Sequence, residues 1–210
     1  MTYVVRLLLF ANVAVYFLQE FARDRLYREF ALWPLGSHYF PGLGRVGFEP
    51  WQLLTSGFLH GSFAHIALNM YGLFMFGSMV ERAMGARRFA LLYFASVLTG
   101  SLVQLLVVTM ALDQGVAPTI GASGGVFGVM LAFAALFPHS RVMLVFPPIP
   151  MKAWVLVAGF AAIELMAGVF GTNQGVAHFA HLGGMLGAII VLLATGFRWG
   201  RQSGGDVRGP

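Results

Sequence analysis

Six apolar runs divide the chain, at about residues 4–21, 62–80, 88–111, 121–137, 153–170 and 177–197. Each approaches the ~20 residues, in a range of ~17–25, that carry an α-helix across a bilayer. None alternates apolar and polar positions with period two, so the runs predict helices and not barrel strands. Breakers stand at the joints: Gly85, Pro118, Pro138 and the cluster Pro147-Pro148-Ile149-Pro150. The expected fold class is an all-α integral membrane protein with six transmembrane helices. The whole of 1–210 reads as one membrane domain, with a long first loop at 22–61 and a short polar C-terminal tail at 198–210. The first run lacks a small-residue cleavage site and reads as a retained span.

Composition agrees. The chain is 58% hydrophobic and 10% charged, with a mean hydropathy of +0.77. A soluble domain is about half apolar and about a quarter charged, so this chain lacks the polar surface that water requires. It has no cysteine, which excludes a disulfide framework and a thiolate metal site. The net charge is +5, but the basic residues are distributed as a membrane topology distributes them. With the N-terminus inside, Arg6, Arg82, Arg87, Arg88, Arg141, Lys152, Arg198, Arg201 and Arg208 are inside. Only Arg23, Arg25, Arg28 and Arg45 are outside, all in the first loop. This predicts N-in and C-in, and it accounts for the basicity without a nucleic-acid partner. The aromatic first loop, with Trp33, Tyr39 and Trp51, is expected to lie half-sunk in the outer interface.

Three runs carry polar residues near their heads: His65 and Asn69, then Ser123, then His178 and His181. In this topology all three helices run inward at ~1.5 Å per residue. Measured back from Glu81, His139 and Arg198, the residues His65, Ser123 and His181 lie ~24–25 Å from the inner end. The hydrocarbon core is ~30 Å thick, so the three share one level just below its outer edge. Gly124 and Gly128 form a small-residue face on the fourth run. Gly183 and Gly187 form another on the sixth, beside Gly184 and Ala188, which permits close approach of the two helices.

A serine hydroxyl needs a base to take its proton, and histidine suits that task. Ser123 is the candidate nucleophile and His181 the candidate base. None of the eight acids lies at this level on the second, fourth or sixth run, so a Ser–His dyad is expected and not a triad. Glu164, deep in the fifth run, is expected to have a packing role or a polar neighbour. His65 and Asn69, at i and i+4, share a helix face and are the candidate oxyanion donors, with the Ser123 backbone N–H as a third. His178 is a second candidate base or a helix-start residue, and His60 is expected to pin loop backbone. Gly121-x-Ser123-x-Gly125 also fits the nucleophile elbow of soluble hydrolases, but that elbow needs a preceding strand, and here the flanks are helical.

These residues resemble the rhomboid family of intramembrane serine proteases. The resemblance lies in Trp51-Gln-Leu-Leu-Thr-Ser-Gly-Phe-Leu-His60, in His60-Gly-Ser-Phe-Ala-His65-Ile-Ala-Leu-Asn69, in Gly121-Ala-Ser123-Gly124 and in Ala180-His181-Leu-Gly-Gly184. It covers about residues 50–190. It implies a six-helix rhomboid-like bundle of the bacterial form, with Ser123 as nucleophile, His181 as base and His65 with Asn69 at the oxyanion. It implies transmembrane protein substrates cut near the outer face at small side chains, and no cofactor. It also implies a bacterial inner-membrane location among lipids. Glu81-Arg82 resembles a structural Glu-x-Arg element of the family. The family's Trp-Arg pair is Trp51-Gln52 here, which questions the usual polar contacts of the first loop. The aromatic that the family often has one turn after the serine is Phe127 here and not tyrosine, which implies ring packing on the histidine without the hydroxyl.

The alternatives are a non-proteolytic, client-binding protein of the same fold, a metal or haem protein using His60, His65, His178 and His181, and a small-solute transporter. The first should have lost the nucleophile or the base. The second has no HExxH and no carboxylate expected beside its histidines. The third wants an internal repeat that the chain does not show.

Overall fold

A computed structural model describes residues 1–110, 117–143, 148–170 and 177–196. The longer helices are α1 (Tyr3–Phe30), α2 (Phe63–Met84), α3 (Ala86–Met110), α4 (Ser123–Leu136), α5 (Ala153–Phe170) and α6 (His178–Ala194); a short helix at Gln52–Thr55 and a 3-10 turn at Ser56–Phe58 precede α2. α2 widens to a π turn over Leu73–Gly77. Of these, α1, α2, α3 and α5 are long and apolar enough to cross a membrane, whereas α4 and α6 are shorter apolar helices. At ~1.5 Å per residue, the 14 residues of α4 span only about 21 Å. The C-terminal tail at 198–210 lies outside the described residues.

α4 and α6 are the inner pair, with α3 packed against both. Small residues allow this. A Cβ on Gly184 would stand 2.7 Å from the carbonyl carbon of Gly124 and 2.9 Å from its Cα. The glycine face of α6 is divided between two partners. Gly184 meets α4, while Gly183 and Gly187 meet α3 around Thr99, Gly100 and Ser96. The apolar core fills the rest with Leu73, Phe89, Leu92, Val129, Phe133, Leu156 and Leu192.

The first connection departs most from expectation. α1 kinks at a non-helical residue, Ala22 (φ −140°, ψ 34°), next to the expected end at residue 21. A second, charged helical segment with Asp24, Arg25, Arg28 and Glu29 then continues to Phe30. A hairpin follows, β1 (Ser37–Phe40) paired with β2 (Gly44–Gly47). A second hairpin, β3 (Arg141–Met143) with β4 (Pro150–Lys152), lies between α4 and α5.

Gln52 organises the first connection. It is 1% exposed; its Oε1 accepts from Trp33 N–H at 3.2 Å and its Nε2 donates to the Gly47 carbonyl at 3.2 Å. The Trp33 indole, fully buried, donates to the last carbonyls of α1, those of Tyr27 and Arg28. The Trp51 indole donates to Glu29 O at 2.9 Å. The Trp51-Gln52 pair therefore keeps a polar network at this position without the arginine. Two ties then run from this connection to the segment leading into α4. Leu32 and Thr119 exchange backbone hydrogen bonds, and Gly121 N–H donates to Ser56 O at 2.9 Å.

Candidate active site

Ser123 opens α4, so its backbone N–H is among those with no intrahelical acceptor. Its Oγ lies 2.8 Å from His181 Nε2, on the first turn of α6. Close packing of Gly124 against Gly184 and Ala180 sets this distance, because any side chain there would part the helices. Phe127 lies flat on the His181 ring, with centroids 4.2 Å apart and planes at 4°, so the imidazole is held between a ring face and the serine. The expected meeting of Ser123 with His181, and of Phe127 with the histidine, is present in the geometry.

His65 reaches the same point from α2. A Cβ on Gly121, whose φ is +128°, would stand 2.7 Å from His65 Nε2 and 3.7 Å from Ser123 Oγ. Glycine here serves both the left-handed backbone and the close ring. Gly61 N–H points to His65 Nδ1 at 3.4 Å. A backbone N–H can only donate, so Nδ1 accepts, and the neutral ring carries its proton on Nε2, the atom that faces Gly121. Asn69 is buried one turn further along, and its Nδ2 donates to His65 O at 3.0 Å, which leaves one amide N–H for another acceptor. The His60 ring does not pin the loop as expected; the Gln19 amide does, holding the His60 backbone N–H and C=O at 3.0 and 2.8 Å.

Glu164 has the polar neighbours expected of it, and they are histidines of the site itself. It projects from α5, 8% exposed, with Oε2 2.9 Å from His181 Nδ1 and 2.7 Å from His178 Nδ1. The contact with His178 has hydrogen-bond alignment. The contact with His181 is close but bent, off the line of an Nδ1–H bond. Ser123, His181 and Glu164 thus form a continuous line. The missed signal was a lone acid in an apolar run. The same finding corrects the view that no carboxylate accompanies these histidines. Glu164, His178 and His181 offer three ligand atoms within 4.8 Å of one another. Two ligands ~2.0–2.1 Å from a tetrahedral zinc stand roughly 3.3 Å apart. The observed 2.7 and 2.9 Å are hydrogen-bond separations, so the cluster has the dimensions of a proton-sharing group.

A pocket opens beside Ser123, walled by Val97, Gly100, Gly121 and Gly124, with the hydroxyls of Ser56 and Ser101. Its walls are small and it is partly polar.

The family model of the Rhomboid domain matches residues 47–197, which includes all of these side chains. The chain belongs to the rhomboid family. It is 36% identical over 140 residues to Rhomboid protein 1, mitochondrial, of Saccharomyces cerevisiae, covering 66% of this chain and 40% of that protein. It is 32% identical to Rhomboid protease GluP of Bacillus subtilis, covering 70% and 26%. It is 33% identical to Rhomboid-like protein 16, chloroplastic, of Arabidopsis thaliana, covering 66% and 47%. The chain therefore spans less than half of each of these three relatives. Their names place rhomboid proteins in mitochondria and chloroplasts as well as in a bacterium, so the expected bacterial inner membrane is not supported. A multi-pass membrane protein of the rhomboid family is.

Proposed function

We propose that this rhomboid domain is an intramembrane serine endopeptidase that cuts transmembrane protein substrates. The observation that carries this reading is the 2.8 Å approach of Ser123 Oγ to His181 Nε2, inside a bundle whose composition belongs in lipid. In the first step Ser123 Oγ bonds to the substrate carbonyl carbon and its proton passes to His181 Nε2. The oxyanion that forms is met by His65 Nε2–H, by the second Asn69 amide N–H and by the Ser123 backbone N–H. His181 then gives its proton to the leaving amine as the C–N bond breaks. Water attacks the acyl-enzyme ester by the same route in reverse, and Ser123 regains its proton.

Six helices form the membrane domain in this reading, α4 and α6 included. Both are short; α4 is buried along nearly its whole length and need not match the bilayer by itself, while α6 keeps an apolar face with Leu186, Ile190 and Leu193 exposed. Arg82, Arg87, Arg88, Arg141 and Lys152 lie at the ends of α2 to α5 remote from Ser123. The positive-inside rule puts that end inside and the serine toward the outer face, with the termini inside. The small-walled pocket beside Ser123 suits a small side chain next to the scissile bond.

The test is cleavage of a model transmembrane substrate by purified protein in detergent, comparing wild type with Ser123→Ala and His181→Ala. Wild type should cut, and both folded variants should be silent. Cleavage by Ser123→Ala would overturn the serine mechanism. A wild type that binds several substrates but cuts none would favour the client-binding alternative.

A further inference from the structure

We propose that Glu164 is the positioning residue of this site, a carboxylate that sets the tautomer of His181 and is itself anchored by His178. The inference rests on the proteolytic reading above and adds a third and a fourth member to it.

Glu164 Oε2 stands between two imidazoles, 2.7 Å from one Nδ1 and 2.9 Å from the other. A carboxylate can only accept. If His181 Nδ1 carried a lone pair, two lone pairs would face each other at 2.9 Å inside an apolar bundle. That arrangement is repulsive, and the low local dielectric enlarges the repulsion. With its proton on Nδ1, His181 has Nε2 free to accept from Ser123 Oγ, which is the state a general base requires. When Nε2 takes the serine proton, the ring becomes a cation beside Glu164, and the same contact turns from a bent hydrogen bond into an ion pair. Catalytic hydrogen bonds are often poorly aligned before substrate binds.

His178 supplies what the bent contact lacks. Its aligned bond at 2.7 Å holds the carboxylate to α6, the helix that carries His181, three residues further along. Both ends of the contact therefore belong to one rigid element. Phe127 fixes the plane of the His181 ring, and Glu164 fixes which nitrogen faces the serine. Glu164→Gln keeps size and an acceptor but removes the charge that favours Nδ1–H and the cationic ring.

Glu164→Gln is expected to lower kcat roughly 10²-fold, short of the ~10⁴-fold lost when a soluble triad loses its carboxylate, with KM unchanged within about twofold. A purely packing role would change thermal stability and leave kcat alone. Ser123→Ala in parallel separates the two readings. If Ser123→Ala is silent and Glu164→Gln cuts like wild type, the positioning role fails and the protease reading stands. If Ser123→Ala still cuts, the protease reading fails first. Should Glu164→Gln not fold, the tautomer of wild type decides. In ¹⁵N-histidine NMR at rest, His181 should carry its proton on Nδ1 and none on Nε2, and a proton on Nε2 alone overturns the proposal. That spectrum should be unchanged by a metal chelator, and a chelator-dependent histidine spectrum would make the cluster a metal site instead.

Discussion

Two buried glutamates stand near opposite ends of the helices, and they are held in different ways. Glu81, 4% exposed, accepts the backbone N–H groups of Val4 and Val5, each at 2.9 Å. It closes the start of α1, where Thr2 supplies no side-chain cap. Glu164, 8% exposed, is held by imidazoles. Backbone amides cannot change protonation state, so the first carboxylate is fixed for the life of the fold and favoured by the helix dipole. An imidazole can carry a proton on either ring nitrogen or on both, so the second sits in a group whose charge can move. A buried acid is thus read from its donors. Amide donors mark structure, and titratable donors mark chemistry.

The largest expected effect removes the chemistry while touching neither acid. Gly184→Val would place a side chain on the Gly124 backbone, so α4 and α6 must part and the Ser123–His181 contact goes with them. Cleavage should fall below detection, and Ser123 should no longer react with a fluorophosphonate probe. Retained labelling at the wild-type rate would show that the glycine contact does not set the site. Next is His65→Ala, which removes the one oxyanion donor whose ring lies at Gly121. A loss of roughly 10²–10³ in kcat is expected, with little change in KM, and a pure KM effect would assign His65 to substrate binding. Third is Glu81→Gln, which should lower stability by at least about 2 kcal/mol, because one hydrogen bond passes to a neutral oxygen and the other is lost to an amide nitrogen that cannot accept. Unfolding in detergent should shift while kcat of the folded protein stays within about twofold. A collapse of kcat without loss of stability would break the distinction between the two acids.

Much of this was legible before the structure. The apolar runs located α2, α3 and α5 to within a few residues, because a lipid-facing helix advertises itself by continuous hydrophobicity. Ser123, His181 and His65 converge because one level on three helices of the same direction can be counted from the sequence. The place of Glu164 in the site was missed by the same reasoning. It lies on α5, which runs opposite to α2, α4 and α6, and only those three were compared for depth. Counted from its C-terminal end, Phe170, Glu164 is six residues, or ~9 Å, along α5, near the level of His181. The first run ends where α1 kinks at Ala22, but the helical segment beyond it was missed, because charges at Asp24, Arg25 and Arg28 end a hydrophobic pattern. The hairpin β1–β2 is local, turned by Pro41, Gly42 and Leu43, whereas the Gln52 network joins segments distant in the chain, for which a lone sequence carries no periodic signal.

The smallest predicted effect concerns the other histidine pair and returns to the rule about donors. His60 is fully buried, its ring meets the edge of His65 with centroids 5.0 Å apart, and neither of its ring nitrogens has an aligned partner. Burial, and secondarily the neighbouring His65, push its pKa down to about 4, and the backbone of Phe58 opposes them only in part. The ordinary value is about 6.5. The unfolded chain therefore takes up a proton below about pH 6.5, while the folded chain refuses it until about pH 4. Stability is full above the higher value and declines as pH falls through this window. At pH 5.5 the deficit is about 1 kcal/mol. His60→Phe removes the titration, so the stability gap between variant and wild type should drift in favour of the variant as pH falls from 7 to 5. Measuring only the difference cancels the titrating groups that do not interact with His60. A gap that stays constant across this range would mean that the His60 ring finds a proton acceptor in the folded protein, and would move it from the structural class to the working one.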